Sequence, residues 1–308
     1  MTPEVVVVGS ASRDIAPDDP RGWRLGGGVT YGALTTARLG LRTVAIVGAD
    51  REASTAHELD LLRSAGCVVR VVDLEHGPVF VNIEQPGGRR QLCHDRSDPI
   101  PVAAVDSAWR SAPGWLLAPV AGELPEAWAA IPGEAAHVAV GWQGLLRELV
   151  PGEEVRPVDP GPHPIVRRAD LVGISRDDVE VDLPLAALYA ALRAGATLAV
   201  THGDRGGLIA TARDATDLQL RHYPAIPSHR VVDPTGAGDV FLAALAAARI
   251  QPRLVGGRIA QGYDLLLASA AASLVLEAPG VTGVPDRAAV VGRMREGLAD
   301  ASRRILEA

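Results

Sequence analysis

The run Val231-Val232-Asp233-Pro234-Thr235-Gly236-Ala237-Gly238-Asp239-Val240-Phe241 decides how this chain is read. Pro234 biases Asp233 toward extended backbone, so the chain leaves a strand or turn at that point. Gly236 and Gly238 permit close approach of the backbone to another group. The segment that follows, VFLAALAAAR, is strongly helix-forming. Residues Gly236, Ala237, Gly238 and Asp239 therefore sit at a helix amino terminus, whose first N–H groups lack intrahelical acceptors and make an anion site. Such fixed amides stabilise the charge of a phosphoryl group in transit. A carboxylate beside them, Asp239, can take a proton from an incoming hydroxyl. An exposed Asp is ionised at neutral pH, so the expectation is an ordinary carboxylate. A tight turn with a capping Asp explains the same residues without chemistry.

Upstream, Val5 to Val8 is a β-branched run of the kind buried on both faces of a sheet. Gly26-Gly27-Gly28 opens an Ala- and Leu-rich helix ending near Gly40, Thr43 to Val47 is a second strand, and Ala53 to Ala65 a second helix. This alternation predicts a parallel sheet covered on both sides. Residues 68–95 break the rhythm with three short strands, Val68–Val72, Val79–Glu84 and Arg89–His94, read together as a β-rich insertion or flap. Strands resume at Trp115–Leu117, His137–Val140, Val155–Val158, Leu171–Ile174 and Thr197–Thr201, and helices are expected over 235–249, 257–277 and 286–305. No repeat or low-complexity linker divides the chain, so 1–308 is read as a single domain.

The chain contains no lysine, so every side-chain cation is Arg or His. Lys-dependent P-loops, Schiff-base lysines and Ser-x-x-Lys hydrolases are thereby excluded. The net charge of −7 argues against a nucleic-acid partner. No apolar stretch approaches the roughly 18 residues of a membrane span, and MTPEVVVVGS reads as a strand, not a signal peptide. Cys67 and Cys93 lack zinc-site spacing, and reduced thiols in a cytoplasmic protein are the expectation.

Asp233-Pro-Thr-Gly-Ala-Gly-Asp239 followed by an Ala-rich helix closely resembles the carboxy-terminal motif of the ribokinase-like (PfkB) carbohydrate kinases. That resemblance implies an α/β fold, a three-layer sandwich with a mostly parallel central sheet and a small β-rich lid, here about 10–25 and 68–95. It implies Asp239 as catalytic base and the amides of Gly236, Ala237 and Gly238 as the anion hole. Gly9-Ser-Ala-Ser-Arg-Asp14 is similar to the family's first strand and sugar-binding Asp, and Gly26-Gly27-Gly28 with Thr30-Tyr31 to its Gly-Gly motif. Ala45-Ile-Val-Gly48-Ala-Asp50, Leu117-Ala-Pro-Val120 through Glu123, and Val158-Asp-Pro160 are similar to further family segments. Thr201-His-Gly203-Asp-Arg205-Gly206 resembles the turn that touches nucleotide phosphates. ATP is expected along Thr201, Gly203, Arg205 and Gly206 and beneath the helix starting at Thr235, with Mg²⁺ bridging its phosphates. Where the family has Asn-x-x-Glu, this chain has Ser175-Arg-Asp-Asp178. Asp178 is then either a metal ligand with a shorter reach or part of a helix cap. Many relatives hold a monovalent cation such as K⁺ near the motif, and Asp233 with Val281–Gly283 are the matching positions.

The short segment between Gly9 and Gly27, and Gln143-Gly-Leu-Leu-Arg147, resemble the inositol-kinase-like branch. The resemblance implies a sugar or cyclitol acceptor, with Asp14, Gly27, Gly28, Asn82, Arg96 and Gln143 as candidate contacts. A nucleoside or aminocyclitol kinase, or a catalytically weak ligand-binding member, are the alternatives. The expected partners are the acceptor and ATP, with a homodimer covering the site as the oligomer expectation.

Overall fold

A computed structural model of the chain describes residues 2–85, 88–179, 183–212 and 217–307. The central layer is a nine-stranded sheet. Its parallel strands are β1 (Val5–Ser10), β4 (Thr43–Ala49), β5 (Val68–Asp73), β8 (Gly114–Leu117), β9 (His137–Gly141), β12 (Leu171–Ser175) and β13 (Thr197–Thr201), in the order β13-β12-β9-β8-β1-β4-β5. Beyond β13, β14 (Gly207–Ala212) and β15 (Leu218–Tyr223) run antiparallel and close that edge. Val5 to Val8 are fully buried because both faces of β1 are covered, as their β-branched run requires.

One face is covered by α1 (Gly28–Arg38), α2 (Glu58–Ser64), α5 (Ala237–Ile250), α6 (Tyr263–Val275) and α7 (Arg287–Glu307). The small side chains of α5 let it press close to the sheet, where Leu242 lies against Gly173 and Phe241 stacks on Tyr223 at 5.1 Å. The other face buries Trp115, Trp128 and Trp142 with α3 (Pro164–Arg168) and α4 (Leu185–Ala190).

A second sheet stands apart from this sandwich: β3 (Trp23–Leu25), β2 (Arg13–Ile15), β6 (Val79–Gln85) and β7 (Gly88–Asp95), in that order. This is the lid. It is fastened below by ion pairs, Arg21 to Glu58 of α2 and Arg13 to Asp50 at the end of β4. Phe80 plugs it into a small apolar cluster with Cys93, Val120 and Leu149.

Two expectations are corrected. Val68–Val72 does not join the lid; it pairs parallel with β4 as the sheet's far edge, returned there by the α2 crossover. Val155–Val158 does not join the nine-stranded sheet; within that stretch Arg156–Pro157 form β11, paired antiparallel with β10 (Arg147–Glu148) in a two-stranded ribbon.

Candidate active site

Helix α5 begins where the motif reading places it. Gly236 is its N-cap at φ +80, and a Cβ there would fall 2.3 Å from the Tyr31 ring of α1. Only glycine satisfies both the left-handed backbone and that close approach. The first α-helical hydrogen bond runs from the Val240 N–H to the Gly236 carbonyl, leaving the amides of Ala237, Gly238 and Asp239 ahead of it. A Cβ on Gly238 would meet nothing within 4 Å, so this end of the helix faces open space.

Asp239 stands at the rim of that space. A Cβ on Gly28 would lie 2.9 Å from its Oδ1 and 3.1 Å from the Ala118 Cβ, so the glycine at the start of α1 makes room for the carboxylate. The expectation of an ordinary exposed Asp is not met. Asp239 is half-buried, and burial pushes its pKa from 3.8 up to about 7. The Arg147 guanidinium pulls it down, while Asp178 and Asp14 push it further up. Those influences place Arg147, Asp178 and Asp14 around Asp239. Arg147 also stacks 5.9 Å from the Phe80 ring of the lid. The Gln143–Arg147 stretch carried the only sequence signal for this guanidinium.

Asp14 reaches the same place from β2. A Cβ on Gly26 would lie 2.4 Å from its Oδ2, and Ser12 Oγ donates to its Oδ1 at 3.2 Å. Gly26 and Gly28 thus receive two carboxylates, one from the lid and one from α5. Between them Gly27, at φ +92, leaves no space for a Cβ beside the Ser10 carbonyl, 2.3 Å away. The loop that carries Ala118 is held by buried Glu123, which accepts from the amides of Ser10, Val120 and Ala121 at 2.7–3.1 Å.

Gln143 and Asp178 are joined: Gln143 Nε2 donates to Asp178 Oδ1 at 2.6 Å. Asp178 Oδ2 accepts from the Ser175 amide at 3.0 Å, while Ser175 Oγ accepts from Asp177, so Ser175 and Asp178 form a capping box. Among the described residues no group of three or more His, Cys, Asp or Glu could cage a metal. Asp178 keeps further lone pairs on both oxygens and therefore fits a metal held through its water shell.

The surroundings of Asp233 do not fit a monovalent cation. Its Oδ1 accepts from the Thr235 amide and its Oδ2 from the Gly280 amide, both at 2.9 Å, and the Arg24 guanidinium faces it at 3.8 Å. A cation there would meet like charge.

Thr201 ends β13, and the turn after it runs through Gly203 and exposed Arg205 to Gly206, at φ +82 against the Tyr223 carbonyl. Beside this turn a cavity of about 340 Å³ is lined by Arg176, His202, Arg205 and His222 with Leu188 and Leu208. Asn82, on β6, accepts from Gln91 Nε2 at 2.7 Å and shares the face of Phe80 by the two-residue repeat. Arg96 lies exposed past the end of β7, beside Asp95, and is not drawn into the cluster around Asp239.

Residues 169–287 match the family described as pfkB family carbohydrate kinase. That segment contains the Thr201–Gly206 turn and the Asp233–Asp239 motif and none of the lid. A nucleoside kinase of Methanocaldococcus jannaschii is 35% identical over 104 residues, 32% of this chain and 30% of that protein. The chain thus spans about a third of the length of this curated relative. A pyrophosphate-dependent kinase in the ribokinase family, complexed with a pyrophosphate analog and myo-inositol, superposes with a TM-score of 0.71 at 18% identity. The alignment covers 94% of this chain and 99% of that one. Ribokinase of Arabidopsis thaliana, complexed with ribose and ATP, gives a TM-score of 0.64 at 20% identity, covering 96% and 99%.

Proposed function

We propose that this chain, whose residues 169–287 match the pfkB family of carbohydrate kinases, transfers the γ-phosphoryl group of ATP to a hydroxyl of a sugar or cyclitol. The observation that carries the reading is the meeting of Asp239, the three leading amides of α5 and Asp14 across the Gly26–Gly28 turn.

In this reading the acceptor lies between the lid and the turn. Asp14 accepts hydrogen bonds from its hydroxyls, and Asn82 and Gln143 border it. Asp239 takes the proton of the attacking hydroxyl. The new bond joins that oxygen to the γ-phosphorus, and the bond to the ADP oxygen breaks. The amides of Ala237, Gly238 and Asp239 face the charge on the phosphoryl oxygens. The donor's phosphates run along Thr201–Gly206, and the cavity bearing Arg176 and Arg205 suits their negative charge. Mg²⁺ bound with the donor would neutralise phosphate charge, and Asp178 would accept hydrogen bonds from its waters.

A base with its pKa near 7 matches its working pH, since it is both substantially ionised and basic enough to attract the proton. The test is ADP release with Mg²⁺-ATP over a panel of cyclitols, sugars, nucleosides and aminocyclitols, with pyrophosphate as an alternative donor read by phosphate release. Turnover of one polyol by the wild type, reduced about a hundredfold or more by Asp239→Asn, is the expected result. An Asp239→Asn protein as active as wild type removes the mechanism. Ligand-dependent thermal stabilisation without turnover favours a binding protein on the same fold.

A further inference from the structure

Arg24 sits on lid strand β3 directly opposite Asp14 in the antiparallel pairing with β2. Paired positions put both side chains on one face of the sheet, so Arg24 leaves β3 beside the carboxylate proposed to bind the acceptor. Arg24 also leaves the lid. Its Nη1 lies 3.8 Å from Asp233 Oδ2, and its Cδ packs 3.9 Å from where a Gly280 Cβ would be. Its other branch donates to Asp18 Oδ2. Asp233 in turn fixes the anion-hole loop, accepting from the amides of Thr235 and Gly280. One side chain therefore joins the strand that presents Asp14 to the carboxylate that shapes the entry into α5.

We propose that Arg24 is a positioning residue, a built-in counter-ion for Asp233 that stands where a monovalent cation would otherwise sit and ties the lid to the anion-hole loop. The guanidinium is covalently attached and permanently charged, so the loop needs no ion from solution. The arrangement also makes the charge at Asp233 depend on lid position. When β3 lifts away, Asp233 loses its counter-ion at the same time as Asp14 leaves the acceptor. The proposal rests on the kinase reading for its effect on turnover and on the structure alone for its effect on stability.

The experiment compares wild type, Arg24→Met and Arg24→Lys in potassium chloride and in tetramethylammonium chloride at equal ionic strength, first by thermal unfolding without substrate. Wild type should unfold at the same temperature in both salts. Arg24→Met should unfold about 2 °C or more lower in tetramethylammonium, and K⁺ should restore at least half of that loss. Arg24→Lys, which keeps the charge, should behave as wild type. Turnover should follow the same order, with Arg24→Met falling about tenfold in tetramethylammonium and recovering in K⁺. The proposal is overturned if K⁺ stabilises wild type, if Arg24→Met matches wild type in tetramethylammonium, or if Arg24→Met does not distinguish the two salts. Absence of turnover on every acceptor would count against the kinase reading alone, because the thermal comparison needs no substrate.

Discussion

Asp239 carries a conflict between what the fold tolerates and what the chemistry requires. Burial holds its carboxyl near pKa 7, above the 3.8 it has when the chain is unfolded. The folded state therefore binds more protons than the unfolded state between about pH 4 and 7. This group's contribution to stability is complete below about pH 4 and is lost as pH rises through 7. Asp239→Asn removes the charge and keeps the shape. Thermal unfolding at pH 5 and pH 8 should show the variant gaining on wild type at the higher pH, by about 2 °C or more. The activity profile should mirror this: kcat/KM of wild type climbs through an apparent pKa near 7 as the base ionises. Replacing Arg147 with Met should move that midpoint higher, because the guanidinium is the influence that lowers it. A midpoint unmoved by Arg147→Met, or a variant no more stable than wild type at pH 8, contradicts this account.

At the scale of elements, the amino end of α5 separates packing from function. A Cβ on Gly238 would touch no protein atom, and alanine is the better helix former by up to about 1 kcal/mol. Gly238→Ala should unfold at or slightly above the wild-type temperature yet lose turnover, since the added methyl points into the space expected to receive the phosphoryl group. A variant that keeps full turnover would show that nothing binds there. This helix start was legible in the sequence because its signals are local: Pro234, two glycines and an Ala-rich run lie within a few turns. The burial of Asp239 was not legible. It is made by Gly28 and the loop carrying Ala118, more than a hundred residues away, and no local pattern encodes that meeting. The β14–β15 ribbon was missed because β15, LQLRHY, is a mostly exposed edge strand that shows neither an apolar run nor a sustained alternation. Val68–Val72 was misplaced for a related reason, as an edge strand with one open face reads like a hairpin. Arg24 gave no signal, because its partner Asp233 is fixed only by the fold.

At the scale of the whole molecule, the proposed reading assigns the acceptor and the donor to different parts. The lid strands β2, β3, β6 and β7 carry or border Asp14, Asn82 and Arg24, whereas β13, β14 and the turn between them border the cavity proposed for the donor. Hydrogen exchange should register this division. An acceptor should slow exchange in the lid strands and leave β14–β15 unchanged, and a non-hydrolysable donor should do the reverse. Uniform protection by either ligand would show that the two parts move as one. The family match over residues 169–287 takes in the Thr201–Gly206 turn and the Asp233–Asp239 motif and leaves out the lid strands.

The glycine turn that receives both carboxylates has a consequence for synthesis. Position 14 leaves the ribosome first and position 239 more than two hundred residues later, and the two come to the same turn only when the chain folds across that gap. Under the proposed mechanism, a growing chain carrying only the early carboxylate has no base, and a fragment carrying only the late one has nothing to hold a hydroxyl.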